Sequence, residues 1–197
     1  MTSYWGPLGW MTLHSASMLY AEQPEQAEKL LMKKFIDLFG ETISCHVCKN
    51  HFLTMKRRYE AWNPGYLNSR RELMLFVFRA HNTVNKRVDK PILRSVQDCL
   101  SALKNANSYS SLESVRASYI LYLQRNWGQE YSSDGLTSRK KVQEMNKINN
   151  EYFNIRTIDW SYTFEDDVLF FIEDATPVFK PIKRLGGFKN GKLLFKF

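Results

Sequence analysis

Two thiols and two imidazoles fall within seven residues of each other in Cys45-His46-Val47-Cys48-Lys49-Asn50-His51. Cysteines separated by two residues can close a small disulfide or hold a metal jointly. The apolar run Phe35 to Phe39 precedes them, followed by Gly40, which reads as a helix stop, and Ser44, which reads as an N-cap. That placement predicts Cys45 in the first turn of a helix and Cys48 one turn further on, on nearly the same face. Unpaired N–H groups and the positive end of the helix dipole favour a thiolate there, as does a protonated His46. The chemistry on offer is thiol–disulfide exchange or metal ligation.

All four histidines, His14, His46, His51 and His81, lie in the first 81 residues. The stretch His81-Asn82-Thr83-Val84-Asn85-Lys86-Arg87-Val88-Asp89-Lys90-Pro91 places His81 and Asn85 on one helical face, with Asn82 beside them and basic residues after them. A lone histidine on an apolar face is more often a satisfied core residue than a ligand. Several polar groups on one apolar stripe need several partners. A planar heteroaromatic cofactor with a phosphate tail supplies them: rings for His and Asn to hydrogen-bond, faces to stack on Trp10 or Tyr20, and phosphates for Lys86, Arg87 and Lys90.

These residues need a scaffold, and the periodicity predicts a helical one. Residues 4 to 21 read as a first helix entered through Trp5-Gly6-Pro7, with Trp10, His14, Ser17 and Ala21 on one face. Glu25 to Phe39 reads as a second, with an apolar stripe of Ala27, Leu30, Leu31, Phe35 and Leu38. The third carries the cysteines to about Tyr59 or Ala61 and is closed by Asn63-Pro64-Gly65. The fourth opens at Asn68 or Ser69, where Ser69 and Glu72 have capping-box spacing. The fifth presents Leu93, Val96, Cys99, Leu100 and Leu103. Short connections predict a compact bundle over residues 1–104, four helices plus one short one.

The polar stretch Asn105 to Ser111 marks a boundary, and residues 105–197 form a C-terminal extension. In it Leu112 to Trp127 reads as a helix and Ser138 to Phe153 as a polar, mostly exposed one. Val168-Leu-Phe-Phe-Ile172 reads as a strand, and Asn190-Gly191 as the turn of a hairpin. Residues 159–174 carry six acids and no base, and 177–197 six bases and no acid, so two strands of opposite charge can pair. The fold class is mainly α with a C-terminal α+β extension.

With 197 residues, 44% of them apolar and 14% aromatic, the chain can pack a core. It has no stretch of the roughly 18 apolar residues a membrane span needs, and no secretory signal pattern at Met1-Thr-Ser-Tyr-Trp5. The net charge of +8 fits acidic partners or simply a solvated lysine surface, and no nucleic-acid-binding motif accompanies it. Three cysteines are too few for a disulfide scaffold, and at least one lacks a partner within the chain.

Together these motifs resemble the flavin-linked sulfhydryl oxidases of the Erv/ALR type. Trp5-Gly6-Pro7…Trp10…Leu13-His14, Cys45-x-x-Cys48-x-x-His51 and His81-Asn82-x-Val84-Asn85-x-x-x-x-Lys90-Pro91 occur in that family's order and spacing over residues 4–104. The length and divergent tail are similar to its large-DNA-virus branch. The resemblance implies a five-helix bundle holding FAD non-covalently, with Cys48 beside the flavin and Cys45 meeting substrate thiols. It implies FAD contacts from Trp10, His14, His51, His81, Asn82, Asn85 and Lys90, with Val84 packing nearby. Electrons then run from substrate thiols through Cys45–Cys48 to FAD and to molecular oxygen, giving hydrogen peroxide. No metal is implied.

Many family members carry a second, shuttle cysteine pair, whereas this chain has only Cys99 left. Cys99 is expected as a buried free thiol, with an intermolecular bridge as the alternative. Cys45 is then expected to exchange directly with a protein substrate or redox carrier. The resemblance also implies a homodimer, no nucleic-acid or membrane partner, and action in host cytoplasm, in a virion or in the mitochondrial intermembrane space. The bundle alone, ending near Asn105, is expected to keep activity on small dithiols. The rival assignment is a zinc-binding structural or interaction module using Cys45, Cys48, His51 and His81.

Overall fold

The computed structural model describes residues 2–164, 171–174, 188–189 and 192–193. Among them are seven α-helices: α1 (Thr2–Leu19), α2 (Gln26–Thr42), α3 (His46–Trp62), α4 (Arg70–Arg87), α5 (Val96–Tyr109), α6 (Leu112–Gly128) and α7 (Ser133–Ile148). A π-helical turn, Asn149–Phe153, prolongs α7, and a 3-10 turn spans Ile172–Asp174. β1 (Phe188–Lys189) pairs antiparallel with β2 (Lys192–Leu193), Phe188 opposite Leu193. The chain is mainly helical, as its periodicity predicts.

Local chemistry accounts for most helix starts. The side chains of Ser69, Ser95, Ser111 and Ser132 accept from the backbone N–H of Glu72, Asp98, Ser114 and Gly135, opening α4 to α7. Each such cap is worth about 1 kcal/mol. Gly40 departs from its expected role. Helix α2 runs through it to Thr42, and a Cβ at Gly40 would stand 2.8 Å from Leu53 Cδ2 and Phe52 Cδ1. The bare backbone lets α2 and α3 approach closely, so this glycine serves packing rather than termination. With the break displaced, the N-cap of α3 is Cys45 in place of Ser44. At the other end of the bundle α1 stops at Leu19, leaving Ala21 outside it.

Two apolar clusters carry the core. The larger joins Leu13, Phe35, Ile36, Tyr59, Phe76 and Ala80 to Tyr119, Leu123, Val142, Met145 and Phe153. Helices α6 and α7 therefore complete the core that α1 to α4 begin. The expectation of a mostly exposed helix after Ser138 fails here: Val142, Met145 and Phe153 are at most 1% exposed. Its polar composition hid a narrow apolar stripe against α2. In α2 itself Leu30 is exposed, and Met32, Ile36 and Phe39 join Phe35 and Leu38 inside. The polar stretch 105–111, expected as a boundary, continues α5 to Tyr109 and then caps α6 through Ser111.

Polar ties between the layers are specific. Arg116 of α6 is buried and donates to Ser15 Oγ of α1 (2.5 Å), Asn149 Oδ1 (2.9 Å) and Asn154 Oδ1 (3.0 Å). Burial lowers its pKa to about 10, which leaves it charged at neutral pH. Ion pairs Lys34–Glu144 and Lys141–Glu41 (2.8 Å) fasten α7 to α2 at the surface. Of the expected tail strands, Val168 to Phe170, the Asn190-Gly191 turn and much of the basic stretch lie outside the described residues. Ile172, expected in a strand, instead opens the 3-10 turn, fully buried against α3 and α4.

Candidate active site

A cavity of ≈ 850 Å³ lies between α1, α3, α4 and α5. Its size is within the roughly 300–1,000 Å³ of small-molecule sites. Trp10 and His14 reach it from α1; Cys45, Cys48 and His51 from the start of α3; His81, Val84 and Asn85 from α4; and Lys90 from the loop that follows. Phe39, Ile43 and Phe52 supply much of its apolar wall.

One part of the lining is a chain of rings, His14 buried and Trp10 and His81 partly buried. Trp10 and His81 stack with centroids 4.4 Å apart and planes 11° apart. His81 Nδ1 lies 3.0 Å from His14 Nε2, and His14 Nδ1 lies 3.5 Å from Cys99 Sγ. Burial holds the His14 pKa well below its ordinary value, with a smaller push from His81. Burial, and then Lys90, lower that of His81 to about 4. Both imidazoles are neutral at physiological pH, so one donates and the other accepts. Burial also pushes the Cys99 thiol up to about 12, keeping it protonated; among the described residues it is the free cysteine.

Another part of the lining is the start of α3. Cys45 and Cys48 are joined as a disulfide with Cα atoms 5.2 Å apart. Cys45 Sγ accepts from the backbone N–H of Cys48 (3.3 Å), so negative charge arriving on that sulfur meets a helix N-terminus. Val47, between the cysteines, is 64% exposed, which leaves the motif open to a partner from outside.

Of the residues expected to contact the cofactor through the family resemblance, Asn82 does not line the cavity. It is fully buried, and its side chain donates to Leu93 O and accepts from Leu93 N–H, both at 2.9 Å. Asn85 donates to Pro91 O (3.0 Å), and its backbone carbonyl accepts from Lys90 N–H (2.9 Å). These two asparagines fold the segment after α4, with Asp89 at φ 53°, back along the cavity and so place Lys90 and Pro91 on its rim. Arg87 also lines it. Lys86 instead holds its ammonium 4.2 Å from the Phe171 ring centroid. Tyr20 is a core residue donating to Leu67 O (2.9 Å), so Trp10 is the ring left to stack on a ligand.

Three residues near this site went unmarked in the sequence. Tyr122 OH is 2.9 Å from Ser44 Oγ, and Trp127 Nε1 donates to Thr42 O (2.9 Å). Helix α6 thus holds the link between α2 and the cysteines at two points. Glu173 places Oε1 3.2 Å from His51 Nε2. The aromatic density of Tyr119…Tyr122…Trp127 was the only available signal; nothing local marks Glu173.

The Erv1 / Alr family model matches residues 8–106. The chain belongs to the Erv1 / Alr family. It is similar to a FAD-linked sulfhydryl oxidase of African swine fever virus (isolate Tick/Malawi/Lil 20-1/1983), 33% identical over 90 residues, 46% of this chain and 72% of the viral protein. It is 34% identical over 89 residues to a putative FAD-linked sulfhydryl oxidase, 096R, of Invertebrate iridescent virus 3, covering 45% of this chain and 59% of that one. The mitochondrial FAD-linked sulfhydryl oxidase ERV1 of Saccharomyces cerevisiae is 35% identical over 86 residues, 44% of this chain and 43% of the yeast protein. No solved structure matches. The family match ends in α5, so Tyr122, Trp127 and Glu173 all lie beyond it.

Proposed function

We propose that this Erv1 / Alr protein is a FAD-linked thiol oxidase that makes disulfides in protein substrates. One observation carries the assignment: the Cys45–Cys48 disulfide and the Trp10–His81 stack line the same cavity. A redox pair on the wall of a largely apolar, aromatic-lined cavity is the arrangement a flavin enzyme needs. The family membership and the names of the relatives support the same activity.

The residues present fit FAD. Trp10 offers an aromatic face, His51, His81 and Asn85 offer hydrogen-bonding groups, Val84 packs, and Lys90 and Arg87 offer cations for phosphates. His14 holds His81 from behind. Asn82, expected to touch the cofactor, acts through the loop that carries Lys90. FAD, when bound, supplies the two-electron acceptor that restores the disulfide and passes the pair to molecular oxygen as hydrogen peroxide.

The chain's own part is sulfur chemistry. A substrate thiolate attacks Cys45 Sγ, the Cys45–Cys48 bond breaks, and Cys48 leaves as a thiolate. A second substrate thiolate attacks the substrate sulfur of the mixed disulfide and releases oxidised substrate, with Cys45 as a thiolate. The Cys48 N–H aimed at Cys45 Sγ stabilises that charge. Cys48 is the flavin-facing sulfur and Cys45 the interchange sulfur.

We assign residues 1–104 to the oxidase unit and 105–197 to an extension that buttresses it, helical first and then containing the β1–β2 pair. A homodimer, direct exchange with a protein thiol or redox carrier, and membership of the large-DNA-virus branch complete the proposal. Host cytoplasm or a virion is the favoured location. Among the described residues no helix is long and apolar enough to cross a membrane. Zinc ligation is not favoured: the two thiols are bonded to each other, His81 is engaged by Trp10 and His14, and no group of three or more metal-ligating side chains assembles among the described residues.

The test is the purified full chain. It should carry a flavin absorption spectrum and consume oxygen when given a dithiol, making one peroxide per disulfide. FAD-free protein should gain melting temperature on FAD addition, as any ligand bound only by the native state requires. A colourless protein whose melting curve ignores FAD would remove the assignment.

A further inference from the structure

The extension reaches the site through the short piece 171–174. Ile172 is fully buried in the main core, and its N–H donates to Thr83 Oγ1 (3.0 Å). Thr83, itself fully buried on α4, donates its hydroxyl to Arg79 O (2.7 Å), so the Ile172 N–H satisfies the acceptor side of the same oxygen. Arg58 of α3 donates to Glu173 O (2.7 Å). Lys86 of α4 lies over the Phe171 ring. This piece is thus anchored to both α3 and α4, the helices that carry His51 and His81. The result is a carboxylate, Glu173 Oε1, held 3.2 Å from His51 Nε2.

We propose that Glu173 is a positioning residue for the oxidase site, fixing the orientation and tautomer of His51 from outside the family-matched segment. A carboxylate only accepts, so His51 must carry a proton on Nε2. In the neutral ring Nδ1 is then the lone-pair nitrogen, on a side chain that lines the cavity. A carboxylate behind a working imidazole is a general way to fix which nitrogen donates, familiar from metal-bound and catalytic histidines. The contact makes residues 171–174 a working part of the site. The proposal rests on the FAD-oxidase assignment in that His51 is taken to face the cofactor.

The experiment uses the full chain and compares parent, Glu173→Ala, Glu173→Gln, His51→Ala and the double variant His51→Ala/Glu173→Ala. FAD dissociation constants come from flavin fluorescence titration, and the nitrogen NMR shifts of the His51 ring are read in FAD-free protein. Glu173→Ala should weaken FAD binding about tenfold, the scale of one hydrogen bond to a charged group. Glu173→Gln, whose amide oxygen still accepts, should stay within about threefold of the parent. Without His51, removing Glu173 should cost no more than about twofold further. The His51 ring should show protonated Nε2 in the parent and in Glu173→Gln, and lose that preference in Glu173→Ala. An equal loss of FAD affinity with and without His51, or a ring spectrum indifferent to Glu173→Ala, overturns the proposal. A parent that takes up no FAD would sink the oxidase assignment instead, while the ring spectrum would still judge the contact.

Discussion

Residues 2–109 and the described residues of 110–174 share a core and contribute to it in different ways. Among the described residues the first region holds every group that lines the cavity, and each of its motifs is a short stretch of sequence. The described residues of the second line none of it, yet Tyr122 and Trp127 hold the link before Cys45, and Glu173 holds His51. Reactive groups are supplied locally; their positions are set by partners as many as 122 residues away. A site needs both, because an unsupported first layer of residues loses its geometry.

The sharpest way to break this contrast is to cut the two regions apart. A chain ending after Tyr109 loses Tyr119, Ile120, Leu123, Val142, Met145 and Phe153, all buried against α1 or α2 or packed with side chains that are. Each such side chain is worth about 1.5–3 kcal/mol, and together they rival the entire 5–15 kcal/mol of an ordinary domain. The fragment should lose cooperative melting or associate to cover the bared surface, although it keeps every cysteine and histidine. Calorimetry with mass in solution decides this. A fragment that melts like the full chain would make the regions independent and restore the expectation that the bundle acts alone.

A smaller effect is expected inside the first region. Gly40→Ala puts a methyl 2.8 Å from Phe52 Cδ1 and Leu53 Cδ2, so α2 and α3 must shift apart next to the cysteines. Overpacking of this kind costs about 1–3 kcal/mol. Chemical denaturation should show that loss, and FAD affinity should fall with it if the α2–α3 contact helps shape the cavity. Unchanged stability would show that the α2–α3 contact does not require a bare backbone at Gly40.

The last effect is one of pH, absent at neutral pH and growing only on acidification. His81 has its pKa lowered from 6.5 to about 4, and His14 is lowered as well, each mainly by burial. Below pH 6.5 the unfolded chain takes up protons that the folded chain refuses, so stability present above that pH declines as pH falls towards 4. For His81 the full swing is at most about 3 kcal/mol. Melting temperature of FAD-free protein should fall over that window, and less steeply in His81→Gln. Parallel curves for the two proteins would show that His81 is not held neutral.

The same contrast explains how far the sequence could be read. Helices α2 to α6 follow from apolar periodicity and serine caps, which are local properties. Apart from Cys99, the polar and sulfur groups of the cavity lining fall in three short motifs, whereas apolar wall residues such as Phe39, Ile43 and Phe52 lie outside them. Gly40 misled because a glycine's role depends on what crosses it, here Phe52 and Leu53 of the next helix. Asn82 misled in the same way: its partner Leu93 is eleven residues on, so a polar group on a core stripe proved to be a loop clamp. The buried stripe of α7 and the contact of Glu173 depend on partners far along the chain, and no local pattern encodes them.

The central claim is that electrons pass from substrate thiols through Cys45–Cys48 to FAD, and anaerobic mixing with a dithiol tests it most directly. In the parent the visible flavin absorbance should bleach on addition of dithiothreitol and return when oxygen is admitted, with peroxide formed in equal amount. Cys48→Ser, folded and flavin-loaded, should keep its yellow colour under the same treatment. Cys45→Ser should also resist bleaching, while leaving Cys48 free to show a long-wavelength band as a thiolate against oxidised flavin. Bleaching of Cys48→Ser at the parent's rate would contradict the account, since reductant would then reach the flavin without the disulfide.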